Sequence, residues 1–372
     1  MSRDLATPTD EMPTSDKEKM MHNIFGDRFF GRTGPAWHEL GTTDPGIVLC
    51  SKAVRRAKLD YRVFLAPVSG QVDTPMGTVL VNVPNKMMIL REPTTDDPEH
   101  RFFGFASPDY GILQNMEIAK ALDVLNDDWP VETVGALGMG ETVFFTLDAG
   151  ERKVRGEDIK LYFLITDTRD GGTSLKIVFT PVRVVCNNTL ITGLRQSLVT
   201  VSLEHIAGLK AAFESRVALV QQMTAAQDAT MTVFDRMARC SLKKQEIEFV
   251  LKQTYPDPRK PKKATILDDL SDADAKLIGV LYDEASEVNQ LWEYYCNRAQ
   301  MFRDAAGELV SKHNDEFPKT ANTAWAVYNA VVESADFRRG SDGIAASAIW
   351  GPRSQEKKRA FRAAVDLMDK RK

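Results

Sequence analysis

The sequence predicts an α+β protein, with an antiparallel strand-rich N-terminal region carrying a few helices, followed by an all-helical C-terminal region. Two observations predict it. Between Tyr61 and Cys186 the chain breaks into short runs rich in Val, Ile, Phe and Tyr, each bounded by Gly, Pro, Asn or Asp. Beyond Leu190 apolar residues recur at intervals of three and four instead. The strand-rich part follows the order strand, strand, strand, helix, strand, strand, strand, which is not the regular alternation of a wound parallel sheet.

Residues 1–20, rich in Thr, Pro, Asp and Lys, are expected to be a disordered tail. Residues 21–200 are expected to form the α+β core domain and residues 201–372 a helical domain ending in a basic helix. "SKAVRRAKLDY" reads as a helix that Ser51 could cap. The expected strands are "YRVFLAPV", "GTVLVNVPNKMMILRE", "RFFGFAS", "ETVFFTLDAG", "DIKLYFLITDT" and "TSLKIVFTPVRVVC", with "NMEIAKALDVLND" as the intervening helix. "RDGGTS" supplies a glycine hairpin turn, and the glycines of "GALGMGE" another before "TVFFTL". Helices follow from Ile206 to Met237, in "SLKKQEIEFVLKQTY", after a capping box at Ser271–Asp274, in "TANTAWAVYNAVVESADF" and in "SQEKKRAFRAAVDLMDK".

A chain of 372 residues with 43% hydrophobic and 27% charged residues is long enough for about two domains of ordinary globular composition. No run approaches 18 apolar residues, so no membrane partner and a cytoplasmic location are expected. The four cysteines and five histidines are scattered, which predicts no structural zinc, no disulfide framework and no cofactor. The net charge of -4 excludes a global basic field, yet two segments are locally basic. Pro256–Lys263 has four basic residues and one acidic; Gly351–Lys372 has eight and three.

The stretch "FTPVRVVCNNTL" carries the main candidate site. Alternation puts Arg183 opposite Val182, Val184 and Cys186, and Pro181 favours an edge or a bulge because it cannot donate to a ladder. Asn187, Asn188 and Thr189 are all competent helix caps, so the strand is expected to run into a helix N-terminus. Such an end, with an arginine beside it, suits phosphate or carboxylate. The alternative is an arginine paired with a structural carboxylate and asparagines satisfying a turn. Cys186, alternating with valines and without a nearby histidine, reads as a small core residue rather than a nucleophile. On the last helix Lys357, Lys358, Arg359 and Arg362 either contact phosphates or form a solvated basic end. Trp37 in "GPAWHELGT" reads as a loop anchor or a base-stacking residue, and Trp325 and Tyr328 as a helix-packing face.

"AWHELGT", "FTPVRVVCNNTL", "NTAWAVYNAVVESADF" and "AIWGPRSQEKKRAF" together resemble the phage/plasmid-like proteins of the DUF932 domain family. The resemblance covers roughly residues 30–365, and Arg183, Val184, Val185, Cys186, Asn188 and Thr189 match its central pattern. Two departures stand out: Arg169 occupies the position of a histidine in the family's turn, and Ser334 and Phe337 stand where a late tyrosine and histidine are usual. The resemblance implies a mobile-element protein in a bacterial host. The expectation built on it is a non-enzymatic, homo-oligomeric protein that binds or anneals single-stranded DNA in replication or recombination, in the manner of a Rad52-like annealing protein. The alternatives are a protein-interaction or host-takeover factor, with phage or host proteins as partners, and a metal-dependent nuclease, for which no ligand spacing is present.

Overall fold

The computed structural model describes residues 24–33, 41–183, 188–189, 200–220, 224–262, 280–338 and 352–371. The expected class is observed: a strand-rich region is followed by helices alone. The expected tail, the Trp37 loop, Cys186, Asn187 and the Ser271–Asp274 capping box lie outside the described residues.

Eight strands form one sheet: β1 (Ile24–Gly31), β2 (Thr42–Thr43), β6 (Val131–Leu137), β7 (Thr142–Val154), β8 (Glu157–Thr168), β9 (Leu175–Arg183), β10 (Asn188–Thr189) and β11 (Thr200–Leu203). The spatial order is β10-β9-β8-β7-β6-β1-β2, with β11 also on β9, and only the β1–β2 pair is parallel. β6 is buried along its whole length, which its composition, VETVGAL, permits. A second sheet of three antiparallel strands contains β3 (Val63–Thr74), β4 (Gly77–Arg91) and β5 (Arg101–Ala106).

The glycine turns fall where expected, Gly138 and Gly140 between β6 and β7 and Gly171 between β8 and β9, all at positive φ. The β8–β9 turn also joins the two sheets. A Cβ on Gly104 would sit 2.1 Å from Asp170 O and one on Gly171 2.0 Å from Phe105 O, so the absence of side chains is what lets the turn lie on β5.

Helix α1 (Cys50–Arg56) begins one residue before Ser51, so Ser51 is not its cap. The Asp123 carboxylate, just past helix α2 (Asn115–Leu122), accepts the Ser51 N–H at 3.1 Å instead. The helical part comprises α3 (Leu209–Val220), α4 (Thr224–Arg239), α5 (Lys244–Thr254), α6 (Val280–Glu316), α7 (Ala324–Phe337) and α8 (Pro352–Asp369). α7 is nearly all buried: Trp325 and Tyr328 are fully inside and pack with Phe234 of α4 and Phe361 of α8, as a packing face requires. One hydrophobic cluster runs from the sheets through these helices.

Candidate nucleic-acid interface

Arg183 ends β9, where it pairs with Ile159 of β8 on one side and Asn188 of β10 on the other. Asn188 and Thr189 are therefore strand residues antiparallel to Arg183 and Val182; the helix expected to follow them lies outside the described residues. Pro181 pairs with Leu161 of β8 on one side; on the other it lies between the last described pairing with β11, at Val178, and the first with β10, at Val182. β10 lies beside α7, so two of the segments that carry the family resemblance meet in space. Nothing in either segment predicts that meeting. Asn329 of α7 is fully buried there; its amide donates to the Trp325 carbonyl at 2.9 Å and its own oxygen has no partner among the described residues.

Arg169, in the departed histidine position, is fully buried. Its guanidinium lies 2.7 Å from Asp167 and donates to the Leu113 carbonyl at 2.8 Å. His205 faces the other Asp167 oxygen at 2.9 Å through Nε2 and the Gly111 carbonyl at 2.9 Å through Nδ1, with the Tyr110 ring stacked on it at 4.7 Å. The Asp167 oxygens meet both partners off the ideal hydrogen-bond axis, so the attraction is chiefly electrostatic. Burial pushes the Asp167 carboxyl up, but the Arg169 charge and then His205 outweigh it and hold the pKa below the usual value. With Asp167, Arg169 and His205 all buried, this cluster organises the β8–β9 turn and offers nothing to a ligand.

The C-terminal helix is not a free basic end. Lys357 is fully buried and paired with Asp336, and burial lowers its pKa against that partner's pull. Arg359 donates to the Thr254 carbonyl at 2.7 Å. Lys358 is half-buried; burial and then the charges of Lys176 on β9 and Arg362 push its ammonium pKa down. Of the four predicted cations, the structure thus brings Lys358 and Arg362 together with Lys176 near the sheet, while Lys357 and Arg359 are tied into the fold.

The other basic segment is placed differently. After α5, residues up to Lys262 run along α6, pinned by Trp292 Nε1 donating to Pro258 O at 2.9 Å and by Arg303 bonding Tyr255 O and Asp257, both at 2.7 Å. Lys260 Nζ stands 5.0 Å from the centre of the Trp292 ring, and Arg298 5.6 Å from that of Phe302. Beside them Tyr294 and Tyr295 are 57% and 47% exposed, their rings 5.4 Å apart. Arg298 thus stands one turn beyond the exposed Tyr294 and Tyr295 on α6, Lys260 lies over Trp292, and Asp257 is already neutralised by Arg303. The charge excess of Pro256–Lys263 was legible in the sequence; the tyrosines were hidden in what reads as one long amphipathic helix.

Among the described residues no group of three His, Cys, Asp or Glu side chains could hold a metal ion, and Cys50, Cys240 and Cys296 are unpaired. Nor is any described helix long and apolar enough to cross a membrane. The family model described as "Domain of unknown function (DUF932)" matches residues 103–365. No curated protein and no solved structure matches the chain.

Proposed function

Since the chain belongs to the DUF932 family, whose description assigns no activity, we propose that it is a non-enzymatic protein that binds or anneals single-stranded DNA in the replication or recombination of a mobile element. The observation that supports this reading is on α6, where Arg298 stands one turn beyond the exposed Tyr294 and Tyr295. Single strands are held sequence-tolerantly by that combination, cations along the backbone and rings stacked on bases. A duplex, whose bases are already stacked, gains nothing from the rings.

The test is fluorescence anisotropy of the full chain with labelled single- and double-stranded DNA at low and physiological salt. The expected result is preference for the single strand and an affinity falling steeply with salt. Absence of binding at low salt would overturn the proposal. Equal affinity for both forms would remove the stacking role of Tyr294 and Tyr295.

A further inference from the structure

A cleft of about 710 Å³ opens between β1, the turn that joins α1 to β3, and the loop that follows β4. Four cations line it, Arg28, Arg55, Lys58 and Arg62, against two acids, Asp60 and Glu92. This local surplus of positive charge runs against the chain's net charge of -4.

Each cation reaches the cleft by a different route. Arg28 is built in: only 5% exposed, it donates to the Lys58 carbonyl and, at 2.6 Å, to the Thr94 hydroxyl. Its guanidinium also lies 6.0 Å from the centre of the Tyr61 ring, whose hydroxyl is tied to Gly140 O at 2.7 Å. The head group is thereby fixed before any ligand arrives. Lys58 follows the C-terminus of α1 at a φ of +54°. Its N–H bonds Arg55 O and that of Leu59 bonds Val54 O, the closing turn that glycine usually fills. Glycine there would relieve the backbone but supply no ammonium. Arg55 stands in the last turn of the same helix and has no acidic partner among the described residues. Arg62 meets Glu92 at 3.2 Å, an exposed pair that water can replace.

Two of these cations converge on one oxygen. Arg28 Nη2 and Lys58 Nζ lie 3.6 and 3.2 Å from the same atom, Asp96 Oδ2, on the loop after β4. Asp96 is 52% exposed, so its carboxylate stands where an anionic oxygen is attracted without being locked there. Burial holds the Arg28 pKa below its ordinary value, Asp96 only partly offsets this, and the neighbouring charge of Arg91 adds to it. The guanidinium is thus short of counter-charge even with Asp96 in place.

We propose that this cleft binds the terminal phosphate of a small phosphorylated molecule, one oxygen of which takes the place of Asp96 Oδ2 between Arg28 and Lys58. Arg55 and Arg62 supply further donors from the same wall. Phosphate is favoured over carboxylate by number. A phosphate monoester carries ~1.5–2 negative charges on three acceptor oxygens, which matches the surplus of cations, whereas a carboxylate offers one charge on two oxygens in one plane. The cleft is also of the size that takes a whole small molecule rather than a bare ion. The inference does not rest on the DNA-binding reading.

The experiment is isothermal titration calorimetry of the full chain at low salt, with inorganic pyrophosphate as the probe. One site per chain is expected, with a Kd below about 1 mM. Lys58→Gly separates binding from folding: it suits the left-handed backbone, so its melting temperature is expected to be no lower than that of wild type, while affinity falls at least ~10-fold. Arg55→Ala is expected to weaken binding by a similar factor. Asp96→Asn, which removes the internal competitor, is expected to tighten it several-fold. No heat of binding up to about 10 mM pyrophosphate overturns the proposal, and so does unaltered affinity in Lys58→Gly or weaker affinity in Asp96→Asn. Displacement of pyrophosphate by an oligothymidylate without a terminal phosphate overturns it too, because the cleft would then hold the backbone of a strand.

Discussion

The indole Nε1 of Trp325 donates to Glu157 Oε2 at 3.0 Å across 168 residues of sequence, while the Thr320 hydroxyl donates to the other carboxylate oxygen at 2.8 Å. A single buried carboxylate at the start of β8 therefore fastens the large sheet to the helices. Glu157→Ala leaves the buried indole without an acceptor and the Thr320 hydroxyl with only the Phe317 carbonyl at 3.3 Å, and is expected to cost about 2–4 kcal/mol, whereas Glu157→Gln retains one acceptor and costs less. Urea unfolding with the slope unchanged checks the order; equal midpoints for both variants and wild type would deny the contact any weight.

The docking of the β8–β9 turn on β5 makes a second expectation. Gly171→Ala meets Phe105 O and keeps a φ of +86°, so it is expected to lower stability by more than the ~1 kcal/mol that the left-handed region alone costs. Gly156→Ala is the comparison: its φ is +97° with open space around it, so only the conformational cost applies. Thermal melts of the two variants separate clash from conformation.

Acid sensitivity follows from Asp167. Its folded pKa lies below the unfolded value of about 3.9, so the stability it contributes is complete above that value and is lost as pH falls through the folded pKa. Stability is thus expected to be insensitive to this group between pH 7 and about pH 5 and to decline below about pH 4. Asp167→Asn strands Arg169 without its counter-charge, is expected to cost about 3–5 kcal/mol at pH 7, and should flatten the acid limb. Denaturant midpoints at pH 7 and pH 4 report both effects.

The two basic segments are expected to behave oppositely. Arg259→Ala should reduce the slope of log affinity for single-stranded DNA against log salt by about 1, at wild-type stability. Tyr294→Ala should weaken binding by about 1–3 kcal/mol with that slope unchanged. Lys357→Ala should do the reverse, leaving binding intact and lowering the melting temperature, because it removes the ion pair that the fully buried Lys357 makes with Asp336. Anisotropy at three salt concentrations with parallel melts distinguishes them.

Much of the fold was legible because its signals are local. The β-branched runs, Gly171 in its turn and the buried Trp325–Tyr328 face each carry their pattern within a few residues. Ser51 was misread because capping competence is a property of the side chain, but its use depends on what else reaches the backbone: the helix starts one residue earlier, and Asp123 accepts the Ser51 N–H. Lys357 looked like the other cations of its helix because no local pattern announces Asp336, 21 residues earlier, as its partner. The site residues share this difficulty, since the meeting of β10 with α7 and of Lys176 with Lys358 depends on long-range topology.

The distance between Glu157 and Trp325 along the chain also orders events during synthesis. When Leu203 has just been made, the large sheet can pair its strands, yet the carboxylate of Glu157 and the sheet's apolar side await helices not yet translated. A nascent chain stalled there exposes the surface on which aggregation feeds, and the final helices act as its release from that hazard. Premature stop codons before α7 are therefore expected to yield insoluble product, with solubility returning only once the indole and α8 are both supplied.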